Sequence, residues 1–298
     1  MLDTLIVGGG PAGLVAALYL ARFRREALTV DAGSSRAALI PVSHNYPGFT
    51  DGIPGPQLLA RLRAQAERYG ARVIHGSVET LARTNEGYTA RVGDGTLAAR
   101  TAILATGVMD IEPELPELTD AISRGLVRHC PICDGYEVSD RAVGVIGKGN
   151  KGAREALFIR HYTARLTLFS VGDPTLLDAE HRRHLHDASI ALVEQPVAQV
   201  HLAGAALVGL DTADGRTHRF DTLYSALGER PRSTLALQLG AACTPGGQIV
   251  VDDHQQTSLP DLYAIGDVVS TLNQITVGMS QAAVAATAIH RRLGICNP

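Results

Sequence analysis

The sequence has little of what a nucleic-acid or membrane-binding protein needs. Aromatic residues make up 4% of its 298 residues, and 27 Lys and Arg are outnumbered by 30 Asp and Glu, which gives a formal net charge of -3. The chain therefore offers no basic field and no stacking platform for nucleic acid. Its apolar runs fall short of the roughly 18 residues that a membrane-spanning helix needs. We expect small-molecule or protein partners.

The beginning of the sequence lacks the pattern of an export signal. Met1-Leu2-Asp3-Thr4 leads directly into an apolar strand, without the basic flank and cleavage site of a secretory signal. We therefore expect a cytoplasmic protein. Because the cytosol is reducing, the four cysteines do not favour a disulfide framework, and a close cysteine pair indicates redox catalysis or metal binding.

Two units of strand, glycine turn, helix and strand predict two Rossmann-like folds. The first unit comprises residues 4–7, 8–13, 14–23 and 27–30, and its second strand ends in Asp31. The second unit has the same order, in residues 142–146, 147–152, 153–162 and 166–169. A further glycine-marked strand end, residues 262–267, is assigned to the first fold.

The predicted fold class is α/β, with two Rossmann-like nucleotide-binding domains of the three-layer ββα type, the second inserted into the first. Residues 1–112 and 233–298 would form the first domain, which carries the first glycine turn. Residues 113–232 would form the inserted domain, which resembles NAD(P)-binding domains and carries a cysteine pair. A mass of 31.5 kDa is enough for about two domains with separate cores.

The first glycine turn has the spacing of a dinucleotide site. Gly8, Gly10 and Gly13 stand between a strand and a helix, where glycine lets the backbone approach a pyrophosphate and the helix N-terminus offers free N–H groups. Asp31 can accept hydrogen bonds from ribose hydroxyls and would repel a 2′-phosphate. The alternatives are a turn needed for packing and a surface Asp. The pattern favours FAD or NAD over NADP.

Cys130-Pro131-Ile132-Cys133 is the most specific chemical motif. A Cys-x-x-Cys loop can hold a reducible disulfide and stabilise one thiolate for exchange. A structural zinc ion would need two more suitably spaced ligands, but Cys243 and Cys296 stand alone. We therefore expect a redox pair and no metal, with two inert thiols as the weakest alternative. Cys243 and Cys296 are interpreted as bystanders.

These motifs, in this order, resemble the low-molecular-weight thioredoxin reductases, which are FAD-dependent pyridine-nucleotide-disulfide oxidoreductases, over nearly the whole chain. The matching segments are residues 8–13, 45–48, 105–107, 130–135, 147–152, 266–267 and Gln274. The resemblance implies the two-domain fold, FAD, a homodimer, and a thioredoxin-like protein or a small dithiol or disulfide as substrate.

The resemblance also implies roles for individual residues. Asp267 would bond the ribityl chain of FAD, and Gln274 and Ile275 would present N–H groups to the pyrimidine edge of the flavin. Cys133 would face the flavin, Cys130 would meet the substrate disulfide, and Asp134 would protonate the leaving thiolate. For Asp134 the alternative is a loop carboxylate that caps the next turn. The implied FAD residues are Gly8, Gly10, Pro11, Ala12, Gly13, Asp31, Asn45, Thr106, Gly107, Gly266, Asp267, Gln274 and Ile275.

The second nucleotide turn departs from the family pattern. Gly147 to Ser170 spans the same 23 residues as Gly8 to Asp31, so Ser170 takes the position that reads the ribose. NADPH-using members place a His-Arg-Arg cluster just after this strand, and this sequence has Val171-Gly172-Asp173 there. The run 181–183, His-Arg-Arg, falls on a later predicted helix and is interpreted as a solvated face.

Three functions remain open from the sequence. In the first, Gly147, Gly149 and Gly152 bind NADPH or NADH for a disulfide reductase. In the second, the protein works without nicotinamide, either as an oxygen-using oxidase of small dithiols or as a ferredoxin-dependent reductase. The third is a flavin-bound binding protein without turnover, which the intact cysteine pair disfavours.

Overall fold

The computed structural model describes residues 1–115, 117–204, 206–269 and 272–294. Cys296 lies outside the described residues. The strands, β1 to β17 in chain order, are Leu2–Val7, Ala27–Asp31, Arg72–His75, Val78–Thr84, Gly87–Val92, Gly95–Leu104, Val108–Asp110, Val127–Arg128, Val143–Lys148, Leu166–Val171, Ala191–Val193, Val197–Leu202, Val208–Thr212, Thr217–Phe220, Thr222–Ala226, Glu229–Pro231 and Leu262–Ala264. The helices, α1 to α8, are Pro11–Arg22, Gly55–Arg68, Leu118–Ser123, Pro131–Asp134, Gly149–Ile159, Ala179–Asp187, Thr234–Leu239 and Ile275–Leu293.

The chain divides into two compact units. Unit 1 consists of Met1–Ala38, Ile53–Met109 and Arg230–Pro298, and unit 2 consists of Leu39–Gly52 and Asp110–Glu229. Residues 39–52, which include Asn45, thus group with the second unit.

Unit 1 is built on one mixed sheet. Its strand order is β3-β2-β1-β6-β5-β4, and β17 pairs with the second half of β6. Strands β1, β2, β3, β6 and β17 run parallel, whereas β4 and β5 continue from β6 as an antiparallel meander. The parallel strands are apolar almost throughout, as expected for strands buried on both faces, and Leu5, Ile103 and Leu262 are fully buried. Helices α1 and α8 pack together beside this sheet.

Unit 2 has a parallel sheet of the order β11-β10-β9-β15-β8, accompanied by a separate antiparallel sheet of β12, β13 and β14. Helix α5 follows β9 and packs on it. This confirms the predicted α/β fold class with two Rossmann-like folds. Among the described helices, none has the length and apolar character needed to cross a membrane.

The observed elements are slightly longer than predicted at the glycine turns. Helix α1 begins at Pro11 instead of residue 14, because proline is well tolerated at the first helical position, where its missing N–H is not needed. Likewise, β9 continues to Lys148 and α5 begins at Gly149. Each glycine turn is therefore tighter than the sequence pattern indicated.

Candidate redox and nucleotide sites

Cys130 and Cys133 form a disulfide bond. Cys133 lies in the single-turn helix α4, which Pro131 starts. Cys130 is the N-cap residue of this helix, and its Sγ accepts a hydrogen bond from the Cys133 N–H at 3.2 Å. Both cysteines are partly exposed. The predicted pair is therefore brought together as a disulfide.

Asp134, the residue after Cys133, is held by two side chains. One carboxylate oxygen, Oδ2, accepts a hydrogen bond from Arg128 at 2.8 Å, and the other, Oδ1, accepts one from the Tyr224 hydroxyl at 2.7 Å. Burial raises the pKa of Asp134, while the Arg128 guanidinium and the Tyr224 hydrogen bond oppose that rise. Asp134 is therefore more easily protonated than an exposed Asp, as a proton donor to a thiolate must be.

In the first glycine turn, the space available for a Cβ atom differs among the three motif glycines. A Cβ atom on Gly8 would lie 2.2 Å from the Ala105 carbonyl oxygen, and one on Gly13 would lie 1.9 Å from the Gly8 carbonyl oxygen. Packing of strand against helix explains these two. A Cβ atom on Gly10 would meet only the Ser35 hydroxyl oxygen, at 3.3 Å. Packing does not explain Gly10, so the opening at the start of α1 fits a bound pyrophosphate.

Asp31 ends β2, as predicted. Its Oδ1 accepts a hydrogen bond from the Gly33 N–H at 2.9 Å, and its Oδ2 accepts one from Arg63 at 2.7 Å. The carboxylate is thereby fixed at the edge of the sheet where a ribose would lie in a Rossmann-like fold. Arg63, on α2, was not foreseen from the sequence.

The start of α8 supplies a second helix N-terminus in unit 1. Gln274 is the N-cap residue and Ile275 the first helical residue, as expected, and α8 runs for 19 residues. Before it, the Gly266 N–H donates to Gln281 Oε1 at 2.7 Å, and Asp267 lies 3.5 Å from Arg36. Gln281 is buried and thus fixes the Gly266-Asp267 turn relative to α8.

The remaining implied FAD residues are placed by backbone contacts. The Thr106 hydroxyl donates to the Arg232 carbonyl at 2.6 Å, and the Gly107 carbonyl accepts from the Arg232 N–H at 2.9 Å. Asn45 accepts a hydrogen bond from the Ser43 hydroxyl at 3.2 Å. Together, the open space at Gly10, the fixed acceptor on Asp31 and the N-terminus of α8 fit FAD.

In the second glycine turn, packing explains all three motif glycines. A Cβ atom on Gly147 would lie 2.5 Å from the Gly152 Cα, and one on Gly152 would lie 2.6 Å from Gly147. Gly149 has a φ of +53°, and its Cβ would lie 2.6 Å from the Leu176 carbonyl oxygen. The spacing of this turn is therefore not evidence for a nucleotide.

Acidic side chains surround the first turn of α5. Lys151 is paired with Glu229 at 3.0 Å. The ligand-type atoms of Asp110, Glu112 and His129 lie within 4.8 Å of one another, and His129 Nε2 is 2.6 Å from Glu112 Oε2. Burial raises the pKa of Glu155 to about 7, which Lys151 opposes and Glu229 increases. The charge of Lys151, the cation in the first turn of α5, is therefore offset by Glu229 and favours a pyrophosphate there less than a free lysine would.

In the second Rossmann-like fold, the position that would contact the ribose is a serine, as the spacing predicted. Ser170 lies in β10 opposite Gly147. Lys148 runs alongside Gly172 and lowers the pKa of Asp173, although the two Thr175 hydrogen bonds lower it more. The 181–183 run lies on α6, a helix after β10, and Arg182 makes two hydrogen bonds, at 2.9 and 2.7 Å, to Glu194, the residue that follows β11.

Four residues of these sites carry no sequence signal: Arg63, Arg128, Tyr224 and Gln281. Tyr224 is 90 positions from Asp134 and Arg63 is 32 from Asp31, and no motif connects either pair. The tertiary fold brings them together, by placing α4 beside β15 and α2 beside the end of β2.

Comparisons with known proteins agree with this geometry. The family model described as pyridine nucleotide-disulphide oxidoreductase matches residues 2–286. A thioredoxin reductase of Streptomyces coelicolor is 34% identical over 90% of this chain and 86% of its own. The structure titled "Crystal structure of HlmI" has a TM-score of 0.90 and 31% identity, covering 98% and 92% of the two chains. The thioredoxin reductase of Streptococcus pyogenes has a TM-score of 0.91 and 27% identity, covering 98% of each. The chain belongs to the pyridine nucleotide-disulphide oxidoreductase family and is a FAD-dependent disulfide oxidoreductase of the thioredoxin-reductase type.

Proposed function

We propose that this enzyme moves electrons between FAD, bound in unit 1, and the Cys130–Cys133 disulfide, and from there to or from a thioredoxin-like protein or a small dithiol or disulfide. The observation that carries the proposal is the disulfide itself, partly exposed on α4 and followed directly by the partly buried acid Asp134. FAD supplies two-electron redox chemistry. The protein supplies the thiols, the proton donor and the binding of the cofactor.

The exchange chemistry follows from the order of residues on α4. When electrons leave the enzyme, the Cys130 thiolate attacks the substrate disulfide, a mixed disulfide forms and the substrate thiolate leaves with a proton from Asp134. Cys133 then attacks Cys130 of the mixed disulfide, which releases the second substrate thiol and restores the Cys130–Cys133 bond. Two electrons and two protons pass to the substrate, and the reverse sequence oxidises a dithiol.

For FAD binding, we propose the residue roles that the family pattern implies. Gly8, Gly10 and Gly13 with the start of α1 would bind the pyrophosphate, and Asp31 the ribose. Asp267 would bond the ribityl chain, and the first N–H groups of α8 would face the pyrimidine edge. The relatives named thioredoxin reductase support thioredoxin as a substrate.

A second candidate function is an enzyme that works without NADPH, as an oxidase of small dithiols or a reductase fed by ferredoxin. The specific observation in its favour is the acidic surrounding of the second glycine turn. There Lys151 is paired with Glu229, and the charges of Glu229 and Asp110 both act on Glu155 in the next turn of α5. Ser170 provides no cation for a 2′-phosphate.

The deciding experiment is anaerobic mixing of the FAD-loaded protein with NADPH, with NADH and with dithiothreitol, while the absorbance of oxidised flavin is followed. Bleaching by NADPH or NADH would establish a nicotinamide-dependent reductase. Bleaching by dithiothreitol alone, with recovery in air, would establish the second candidate function.

The matched variants Cys130→Ser, Cys133→Ser and Cys243→Ser distinguish flavin reduction through the Cys130–Cys133 disulfide from flavin reduction by any other route. The first two should lose bleaching by dithiothreitol, and the third should keep it. If both Cys130→Ser and Cys133→Ser bleached as fast as the parent protein, the proposed function would be wrong and a flavin-bound protein without disulfide turnover would remain.

A further inference from the structure

We propose that Tyr224 and Arg128 are positioning residues for the redox disulfide: together they aim the Asp134 carboxyl group and set the pH range in which it can give a proton to a thiolate. This inference rests on the proposed function, since it gives Asp134 the role of proton donor. It adds two residues that lie outside the Cys-x-x-Cys motif and that reach Asp134 from separate strands.

Arg128 and Tyr224 each donate a hydrogen bond to a different oxygen of the Asp134 carboxyl group. Arg128, at the end of β8, donates to Oδ2 at 2.8 Å. Tyr224, in the neighbouring strand β15, donates its hydroxyl to Oδ1 at 2.7 Å and lies 3.2 Å from the Asp134 carbonyl oxygen. Because neighbouring strands carry both donors, the carboxyl group is fixed by the sheet and not by the short helix α4.

Burial makes this placement firm. Tyr224 is fully buried, and only 17% of the Arg128 side chain and 23% of the Asp134 side chain are exposed. A buried hydroxyl that finds its acceptor on a carboxyl group has little freedom to turn away. The Tyr224 hydroxyl itself stays protonated, because burial and the Asp134 charge both raise its pKa.

Arg128 and Tyr224 both lower the pKa of Asp134. Both stabilise the carboxylate, Arg128 by charge and Tyr224 by a hydrogen bond, and both oppose the effect of burial. Glu137 is the other charged group that acts on Asp134, and it raises the pKa. Tyr162, which follows α5, packs its ring against Gly135. Removing either donor should therefore raise the pKa of Asp134.

The test is a pH profile of disulfide reduction by dithiothreitol in the FAD-loaded protein. Dithiothreitol gives two electrons and two protons to Cys130–Cys133 and becomes its own cyclic disulfide, and the freed cysteines are counted by alkylation and mass spectrometry. The rate is divided by the concentration of dithiothreitol thiolate, because that thiolate is the attacking species. The remaining rate falls as pH rises through the pKa of Asp134.

In Arg128→Gln we expect the midpoint of that fall to move up by about 1 pH unit, since loss of an opposite charge shifts a carboxyl pKa by about 1–3 units. In Tyr224→Phe it should move the same way by less, and Arg128→Lys should restore most of the parent value. A carbon-13 titration of the Asp134 carboxyl group should show the same order without any turnover.

Two matched controls separate positioning from stability. Tyr88→Phe removes a buried hydroxyl that donates to the Pro260 carbonyl in unit 1, and Arg182→Gln removes a paired arginine in unit 2. Neither should move the midpoint. If Tyr224→Phe and Arg128→Gln change thermal stability but leave both the midpoint and the carboxyl titration at the parent values, the inference is wrong. The reaction is run without oxygen, and cysteine pairs freed for alkylation are added to the flavin bleached, because electrons that pass to the flavin close the disulfide again. Failure of the proposed function, in which the cysteines are freed and the flavin does not bleach, would be seen separately.

Discussion

A Cβ atom on Gly13 would lie 1.9 Å from the carbonyl oxygen of Gly8, well inside the contact distance of any two atoms. Gly10, between them in the same turn, would place its Cβ 3.3 Å from a single hydroxyl oxygen, on Ser35. The same motif thus contains one glycine that the fold needs and one that the fold does not need. The two can be told apart by substitution.

Gly10→Ala should weaken FAD binding by about 10- to 100-fold and leave the apoprotein folded, because an added methyl costs about 1–3 kcal/mol where a ligand must approach closely. Gly13→Ala should destabilise the apoprotein itself by about 3 kcal/mol or more, because the backbone must move. Thermal unfolding of the apoproteins and FAD titration by fluorescence check both. Equal losses of stability in the two variants would show that Gly10 also serves packing.

Asp31→Asn should lower FAD affinity about tenfold or more, because a hydrogen bond to a charged group contributes about 1.5–3 kcal/mol and the amide lacks the charge. The control is Asp3→Asn. Asp3 also accepts a backbone hydrogen bond, from Glu26 at 3.1 Å, and lies near two arginines, but it sits at the opposite end of β1 from the glycine turn. Asp3→Asn should leave FAD affinity unchanged, and an equal loss in both variants would contradict the ribose-binding role of Asp31.

The sequence was sufficient for the fold class, the cysteine pair and the positions of the turns, because each depends on neighbours along the chain. Gly8 to Asp31 is a local pattern, and so is Cys130 to Cys133. Tyr224, Arg63 and Gln281 could not be predicted, because their partners lie 15 to 90 positions away and are set by the pairing of strands and helices. For the second glycine turn the spacing alone was not decisive, because contacts with residues distant along the chain, such as that of Gly149 with Leu176, also require glycine there.

Cys243 should behave as an inert thiol. Burial raises its pKa, so little thiolate forms at neutral pH, and its Sγ lies 3.6 Å from the Ala241 carbonyl oxygen. In the reduced protein, iodoacetamide should therefore label Cys130 or Cys133 well before Cys243, as peptide mass spectrometry would show. Labelling of Cys243 at the same rate as the pair would mean that it is exposed enough to take part in exchange.

Glu155 should make the protein less stable as pH rises from about 4.5 to about 7. Its pKa is raised from an ordinary value of 4.5 to about 7, and among the described residues its buried Oε2 has no hydrogen-bond partner. A group with a raised folded-state pKa contributes stability that is complete below the unfolded value of about 4.5 and is lost as pH approaches about 7. The shift corresponds to about 3 kcal/mol, and partial solvent screening reduces this to about 1–3 kcal/mol.

Glu155→Gln should thus be more stable than the parent protein at pH 8 by about that amount and equal to it near pH 4.5, when urea unfolding is measured at both pH values. Glu194→Gln is the control of opposite sign, since Arg182 lowers the pKa of Glu194; its loss should lower stability at pH 8. If the difference between Glu155→Gln and the parent protein were the same at both pH values, the buried carboxyl group would not titrate with folding, and the acidic surrounding of the second glycine turn would be weaker than the geometry indicates.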